Sequence, residues 1–204
     1  MADSSALRRT RVIIWIAVVV VALAATAKFV LWPPPPAGTP AGLSYADASF
    51  TLTNAAGGSF TNADLKGKPS LMFFGYTFCP DVCPTTMSDI LKWRDDTGIG
   101  YDGLRTIFVT IDPERDTPEL LKAYLGAFDP NIIGLTGNQA ETETVKTIFG
   151  VLGEKADDAS SDTYLMNHTA GVFLIGADGS YQGTIAYGEA SAAAEAKIKR
   201  LVNG

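Results

Sequence analysis

S-L-M-F-F-G-Y-T-F-C-P-D-V-C-P, residues 70–84, decides how this chain reads. Its first half, Ser70 to Tyr76, is an unbroken apolar run of strand length, suited to a strand covered on both faces. Its second half leads into a segment, Pro84 to about Asp96, in which Met87, Ile90, Leu91 and Arg94 share one helical face and Gly98 lies just past the end. A buried strand running into a helix is the building unit of α/β sheets, and the ends of such strands are where those sheets place their sites.

The same alternation continues downstream. Leu104 to Ile111 is a second buried strand; Thr117 caps a helix with Pro118 at its first position and Leu120, Leu121, Tyr124, Leu125 and Phe128 behind it. Ile132 to Leu135 is a short strand, and Asn138 to Leu152 is helical in pattern through Val145, Ile148 and Phe149. Gly171 to Ile175 and Ser180 to Tyr187 form a hairpin about the turn Ala177-Asp178-Gly179, and Ala192 to Val202 closes the chain as a helix. Upstream, Phe50 to Thr53 and Ser59-Phe60 flank Asn54 to Gly58 as another hairpin, and Leu65 to Pro69 is a turn. The expectation is an α/β domain with a mixed central sheet flanked by helices. Parallel strands need crossover helices, and two lie between Ser70 and Ile132.

The chain has 204 residues, 47% of them hydrophobic, which is enough for one core plus a tail. A net charge of −6 leaves no basic face for nucleic acid. Residues 1–11, with Arg8, Arg9 and Arg11, precede an apolar run over 12–32 that is about as long as a bilayer is thick. The arginines hold the N-terminus in the cytoplasm and place the rest outside it. Residues 33–47 then read as a proline-rich linker, extended and semi-rigid, and 48–204 as the folded domain. A cleaved signal peptide ending at Ala25-Thr26-Ala27 is the competing reading; both export the domain. Residues 1–11 are too few for a mitochondrial transit peptide, so the expected setting is a bacterial inner membrane, single-pass, with the soluble domain in the periplasm.

Cys79 and Cys83 are the chain's two cysteines and His168 its one histidine. Two cysteines are too few to staple a coreless fold. Placed where a strand enters a helix, a thiol is acidified by the helix dipole and free backbone N–H groups. The i,i+4 spacing brings the two sulfurs to one side of a helical turn, which suits either a disulfide or two thiolates on one metal. A buried inert pair is the plainer alternative, but it explains neither the proline after each cysteine nor the aromatics before them. A lone histidine is usually a satisfied surface or core residue. His168, however, lies in a loop (Tyr164 to Gly171) that in a thioredoxin-like sheet faces the cysteine turn. Two thiolates and an imidazole favour copper; structural zinc normally closes with four donors, and no fourth is evident. Met166 is either an auxiliary soft donor or a core methionine. Asp112 to Pro118 (D-P-E-R-D-T-P) is a turn and helix cap, unless Asp112 or Arg115 reaches toward the cysteine loop.

Taken together, Y-T-F-C-P-D-V-C-P, D-P-E-R-D-T-P and Y-L-M-N-H, in that order, resemble the Sco/SenC copper-chaperone family from about Ser49 to Gly204. The resemblance implies a thioredoxin-like fold. It also implies copper, as Cu(I) or Cu(II), held by Cys79, Cys83 and His168, and a role in assembling the binuclear copper centre of cytochrome c oxidase. Partners would be the copper-bearing apo-subunit of the oxidase or another copper chaperone. The family usually carries an aspartate before the histidine; here Asn167 stands there, which removes a carboxylate beside the metal. Thiol–disulfide exchange by Cys79 and Cys83, reducing the cysteines of an exported protein, is the alternative activity, with a peroxidase or redox sensor behind it.

Overall fold

The computed structural model describes residues 8, 11, 13–21, 44–156 and 164–203. Two units separate, residues 1–38 and 39–204. In the first, residues 13–21 are helical. Among the described residues no helix is long and apolar enough to cross a membrane. Of the anchor expected over 12–32, residues 13–21 are described and helical; the rest of it, and residues 33–43 of the linker expected over 33–47, lie outside the described residues.

The second unit contains nine strands among its described residues: β1 (Thr51–Asn54), β2 (Ser59–Thr61), β3 (Ser70–Gly75), β4 (Arg105–Thr110), β5 (Ile133–Thr136), β6 (Gly153–Lys155), β7 (Met166–His168), β8 (Val172–Ile175) and β9 (Tyr181–Ile185). Seven of them form one sheet in the order β2-β1-β5-β4-β3-β8-β9. Parallel pairing joins β3 to β4 and β4 to β5, while β1–β2, β1–β5, β3–β8 and β8–β9 are antiparallel. The expected mixed sheet is therefore present. Helices α1 (Val82–Thr97) and α2 (Pro118–Gly126) are the two crossovers, followed by α3 (Gln139–Phe149) and α4 (Ser191–Asn203).

Every residue of β3 is buried, because it lies mid-sheet with helices over it. Phe73, Phe74, Ile107, Phe108 and Leu135 fill the core from β3, β4 and β5, and Met87 and Ile90 meet them from α1. Arg94, on the apolar face of α1, is buried: its guanidinium lies 3.8 Å from the Tyr101 ring and donates to the Leu104 carbonyl at 2.8 Å. Gly98, at φ 68°, ends α1 in the left-handed conformation that glycine adopts without cost. Thr117 caps α2 as expected, its hydroxyl accepting from Leu120 N–H at 3.3 Å. Ahead of β1, Tyr45 stacks on Phe149 with ring centroids 3.9 Å apart, so the packed unit includes residues that precede Ser49.

Three segments distant in the chain converge at one end of the sheet. Since β3 and β4 are parallel and in register from Ser70↔Arg105 to Gly75↔Thr110, the cysteine loop and the Asp112–Asp116 turn leave side by side. Strand β8 runs the other way, with Val172 opposite Phe73, so the segment just before β8 arrives at that end too. That segment differs from expectation. Rather than a loop it contains β7, paired antiparallel with β6 as a separate two-stranded sheet, Gly153 opposite His168.

Candidate metal centre

Helix α1 begins two residues before Pro84, so Cys83 is its second residue and Pro84 its third. Proline is tolerated there because first-turn N–H groups lack intrahelical acceptors. Cys79 consequently lies outside the helix rather than one turn along it. Its sulfur receives the Cys83 N–H at 3.3 Å and thus acts as the cap that Asp81, whose side chain makes no cap bond, does not provide. Across from them, His168 Nε2 is 3.5 Å from Cys83 Sγ. The donor atoms of Cys79, Cys83 and His168 all lie within 4.8 Å of one another.

The histidine's orientation is determined by its other nitrogen. His168 Nδ1 is 3.0 Å from the Thr169 carbonyl, which can only accept, so Nδ1 carries the proton and Nε2 presents its lone pair to the sulfurs. The ring is edged by Tyr76 (5.8 Å, 89°) and Phe73 (6.0 Å, 76°). Strand alternation places Met166 on the same side of β7 as His168, where it packs against the core. Asn167 is exposed on the opposite side, with Glu154 as its cross-strand neighbour.

The two thiols are electrostatically unlike. Cys79, half-buried, is lowered to about 4, first by a hydrogen bond from the Cys83 thiol, then by the N–H groups of Asp81 and Cys83, against the effect of burial. Cys83, fully buried, is pushed up, because its proton is the one shared with Cys79 and because burial disfavours its thiolate. In effect the pair holds one proton between two sulfurs, and a soft cation taking that place would displace it.

Behind the donors lies a second set of residues. Asp116 is wholly buried and accepts from Thr77 N–H (3.0 Å), Thr77 Oγ1 (2.5 Å) and Thr110 Oγ1 (2.6 Å), holding the strand end that leads to Cys79. Burial raises its carboxyl in spite of these bonds. Asp112 takes the Tyr164 hydroxyl at 2.6 Å on one oxygen and Arg115 Nε at 2.5 Å on the other. The Arg115 guanidinium lies 3.6 Å from the Tyr164 ring centroid and 4.7 Å from that of Phe78, and it donates to the Tyr164 carbonyl at 2.9 Å. The D-P-E-R-D-T-P turn therefore caps α2 and also reaches both the cysteine loop, through Phe78, and the approach to His168, through Tyr164. From α3, Lys146 donates to the Gly153 carbonyl at 2.6 Å and so holds β6. Sequence reasoning misses Tyr76, Asp116, Tyr164 and Lys146 as site residues; the first three stand in the quoted motifs, Asp116 as the second aspartate of that turn, while Lys146 has no sequence signal.

Known proteins resemble this chain over most of its folded unit. The SCO1/SenC family model matches residues 39–203. A SCO2-like protein of Rickettsia felis is 38% identical over 133 residues, 65% of this chain and 65% of that protein, so the match spans just under two thirds of that relative's length. The structure of Bradyrhizobium japonicum ScoI with copper bound is 41% identical with a TM-score of 0.68, covering 76% of this chain and 98% of that one. Yeast Sco1 with copper bound is 30% identical with a TM-score of 0.70, covering 77% and 88%.

Proposed function

This chain belongs to the SCO1/SenC family, and on that premise we propose that it carries copper, bound through Cys79 Sγ, Cys83 Sγ and His168 Nε2. The observation that carries this reading is the convergence of three soft or borderline donors within 4.8 Å, one imidazole lone pair already aimed at them. Two thiolates select Cu(I), and imidazole accommodates either oxidation state. Three donors leave the ion open to ligand exchange with a recipient. Cys79, half-buried, is the sulfur such a recipient reaches, while Cys83 is buried beneath it.

The copper-bearing subunit of cytochrome c oxidase is the proposed recipient, with another copper chaperone as the alternative partner. This rests on the family resemblance. The three arginines ahead of the apolar run at 12–32, and the prolines of 33–36, support a single-pass anchor in a bacterial inner membrane with the domain on a stalk in the periplasm. A similar solved structure is that of a SCO1/SenC family lipoprotein from Bacillus anthracis.

Titration of the reduced protein with copper, followed by visible absorption and competition with a Cu(I) chelator, tests the reading. One copper per chain is expected, with thiolate-to-Cu(II) charge-transfer bands that vanish in Cys79→Ser and weaken in His168→Ala. A His168→Ala protein that binds copper like wild type would overturn the three-donor site.

A second reading, thiol–disulfide exchange, draws support from the asymmetry of the thiols. An acidified, accessible Cys79 beside a buried, protonated Cys83 is the arrangement of an attacking and a resolving cysteine. Since Cys79 is lowered to about 4, its thiolate persists well below the ordinary thiol range. Its alkylation rate should stay nearly flat from pH 8 to pH 6, where an ordinary thiol would slow about a hundredfold. A hundredfold fall for Cys79 would remove the basis of this reading. Retention of disulfide exchange in His168→Ala, with copper binding impaired, would separate the two activities.

A further inference from the structure

Tyr76 follows β3 directly and stands three residues before Cys79, yet the donor set does not use it. Its side chain is 2% exposed, among the most buried aromatic residues of the chain. A phenol so deep in the protein needs partners for its hydroxyl. The hydroxyl oxygen accepts the Met166 N–H at 3.2 Å, two residues before His168 on β7. The ring meets the His168 imidazole edge-on at 5.8 Å. The Tyr76 carbonyl accepts the Cys79 N–H at 3.3 Å. Having accepted the Met166 N–H, the hydroxyl makes no hydrogen bond of its own to any described residue, so its proton is free to donate. Burial chiefly, with a smaller contribution from the Cys79 sulfur, raises the phenol above its ordinary value. One residue thus touches both halves of the site: the cysteine loop through its backbone carbonyl, and the histidine strand through its hydroxyl oxygen and ring.

We propose that Tyr76 is the positioning residue that registers the His168 strand against the cysteine loop, and that its O–H donates to the Cys79 sulfur when copper is held. A phenylalanine would fill the same space and keep the edge-on contact with the imidazole, but it would leave the Met166 N–H without its acceptor and the sulfur without its donor. Hydrogen bonds to a ligating sulfur reduce its donation to the metal and tune the potential of the copper couple. This role for Tyr76 rests on the copper reading of the site.

Tyr76→Phe in the full chain tests it, with three measurements. In the metal-free protein, exchange of the Met166 amide should accelerate about five- to tenfold, the worth of one hydrogen bond. Cu(I) affinity by chelator competition should fall about tenfold, as for loss of a group that orients a ligand. The thiolate-to-Cu(II) charge-transfer band should move to lower energy, because an undonated sulfur gives up its electron more readily. Faster exchange at Met166 with unchanged affinity and band would make Tyr76 a packing residue only and overturn the proposal. Unchanged exchange would overturn it at its root, since the bond would hold nothing. Should the variant not fold, protection of the Met166 amide in the wild type decides: protection approaching that of β3 supports the proposal, and free exchange overturns it. A wild-type protein that takes up no copper in the same competition would sink the copper reading instead, a result distinct from all of these.

Discussion

The cysteines and the histidine meet at one site but stand on unlike foundations. Cys79 and Cys83 follow β3, which is buried along its whole length, pairs on both sides and packs under α1. His168 stands on β7, three residues long, paired only with β6, and half-buried or exposed throughout. A two-stranded hairpin of that size is marginal by itself in water. It is held by attachments that can be named: the Lys146–Gly153 bond, the Asp112–Arg115–Tyr164 cluster, the Leu152–Thr169 pair and the Tyr76 hydroxyl. The comparison teaches that the sulfur half of the site is held by apolar packing and the imidazole half by a few polar bonds. The histidine is accordingly the donor most easily withdrawn, which would suit the proposed release of copper to a recipient.

Three substitutions would break or sharpen this contrast. Asp112→Ala should have the largest effect, lowering the free energy of unfolding by about 3–5 kcal/mol, because it strands the mostly buried Arg115 without its carboxylate and frees the Tyr164 hydroxyl. Urea denaturation measures this, and a loss below about 1 kcal/mol would mean the cluster carries little of the hairpin's attachment. Gly75→Ala probes the other half. A Cβ there would lie 2.8 Å from Cys83 Sγ, 2.9 Å from the Phe73 ring and 3.0 Å from the Phe108 ring, so overpacking should cost about 1–3 kcal/mol. It should also alter the charge-transfer spectrum by displacing Cys83, while amide exchange in β6 and β7 stays as in wild type. Thr169→Val should do least. It removes the acceptor of the Leu152 N–H at 3.0 Å at an exposed position where water can replace it, for about 0.5–1.5 kcal/mol by thermal unfolding. A larger loss than Gly75→Ala causes would show that the hairpin, and not the sheet, limits the site.

Much of the architecture is legible in the residues. Short apolar runs such as Ser70 to Gly75, of strand length and bounded by turn residues, suit covered strands, and Thr117-Pro118 and Gly98 mark helix ends by capping chemistry that needs no tertiary context. The donors are legible because the residue types are scarce and chemically distinct. Whatever depends on partners distant in the chain escapes. Gly153–Lys155 and Met166–His168 carry no alternating apolar pattern, so nothing local marks them as strands, and His168 reads as a loop residue. A proline invites a helix start, which points to Pro84; in fact Val82 and Cys83 precede it in α1, and Cys79 caps the helix from outside. Tyr76 looks like the last apolar residue of a strand, and its hydroxyl acquires meaning only once Met166, ninety residues away, is brought to it.

That distance has a consequence for how the protein matures. Cys83 and His168 are 85 residues apart, and β8, which carries the histidine segment to the end of β3, lies beyond both crossover helices. Contacts of such high sequence separation are entropically costly to close and form late in folding. A partly folded chain therefore offers a bare dithiol, open to oxidation and to promiscuous metals, before it offers the three-donor site. Any ion that prefers the complete site also stabilises the fully folded chain over all earlier species, so a bound ion and folding would each draw the other to completion.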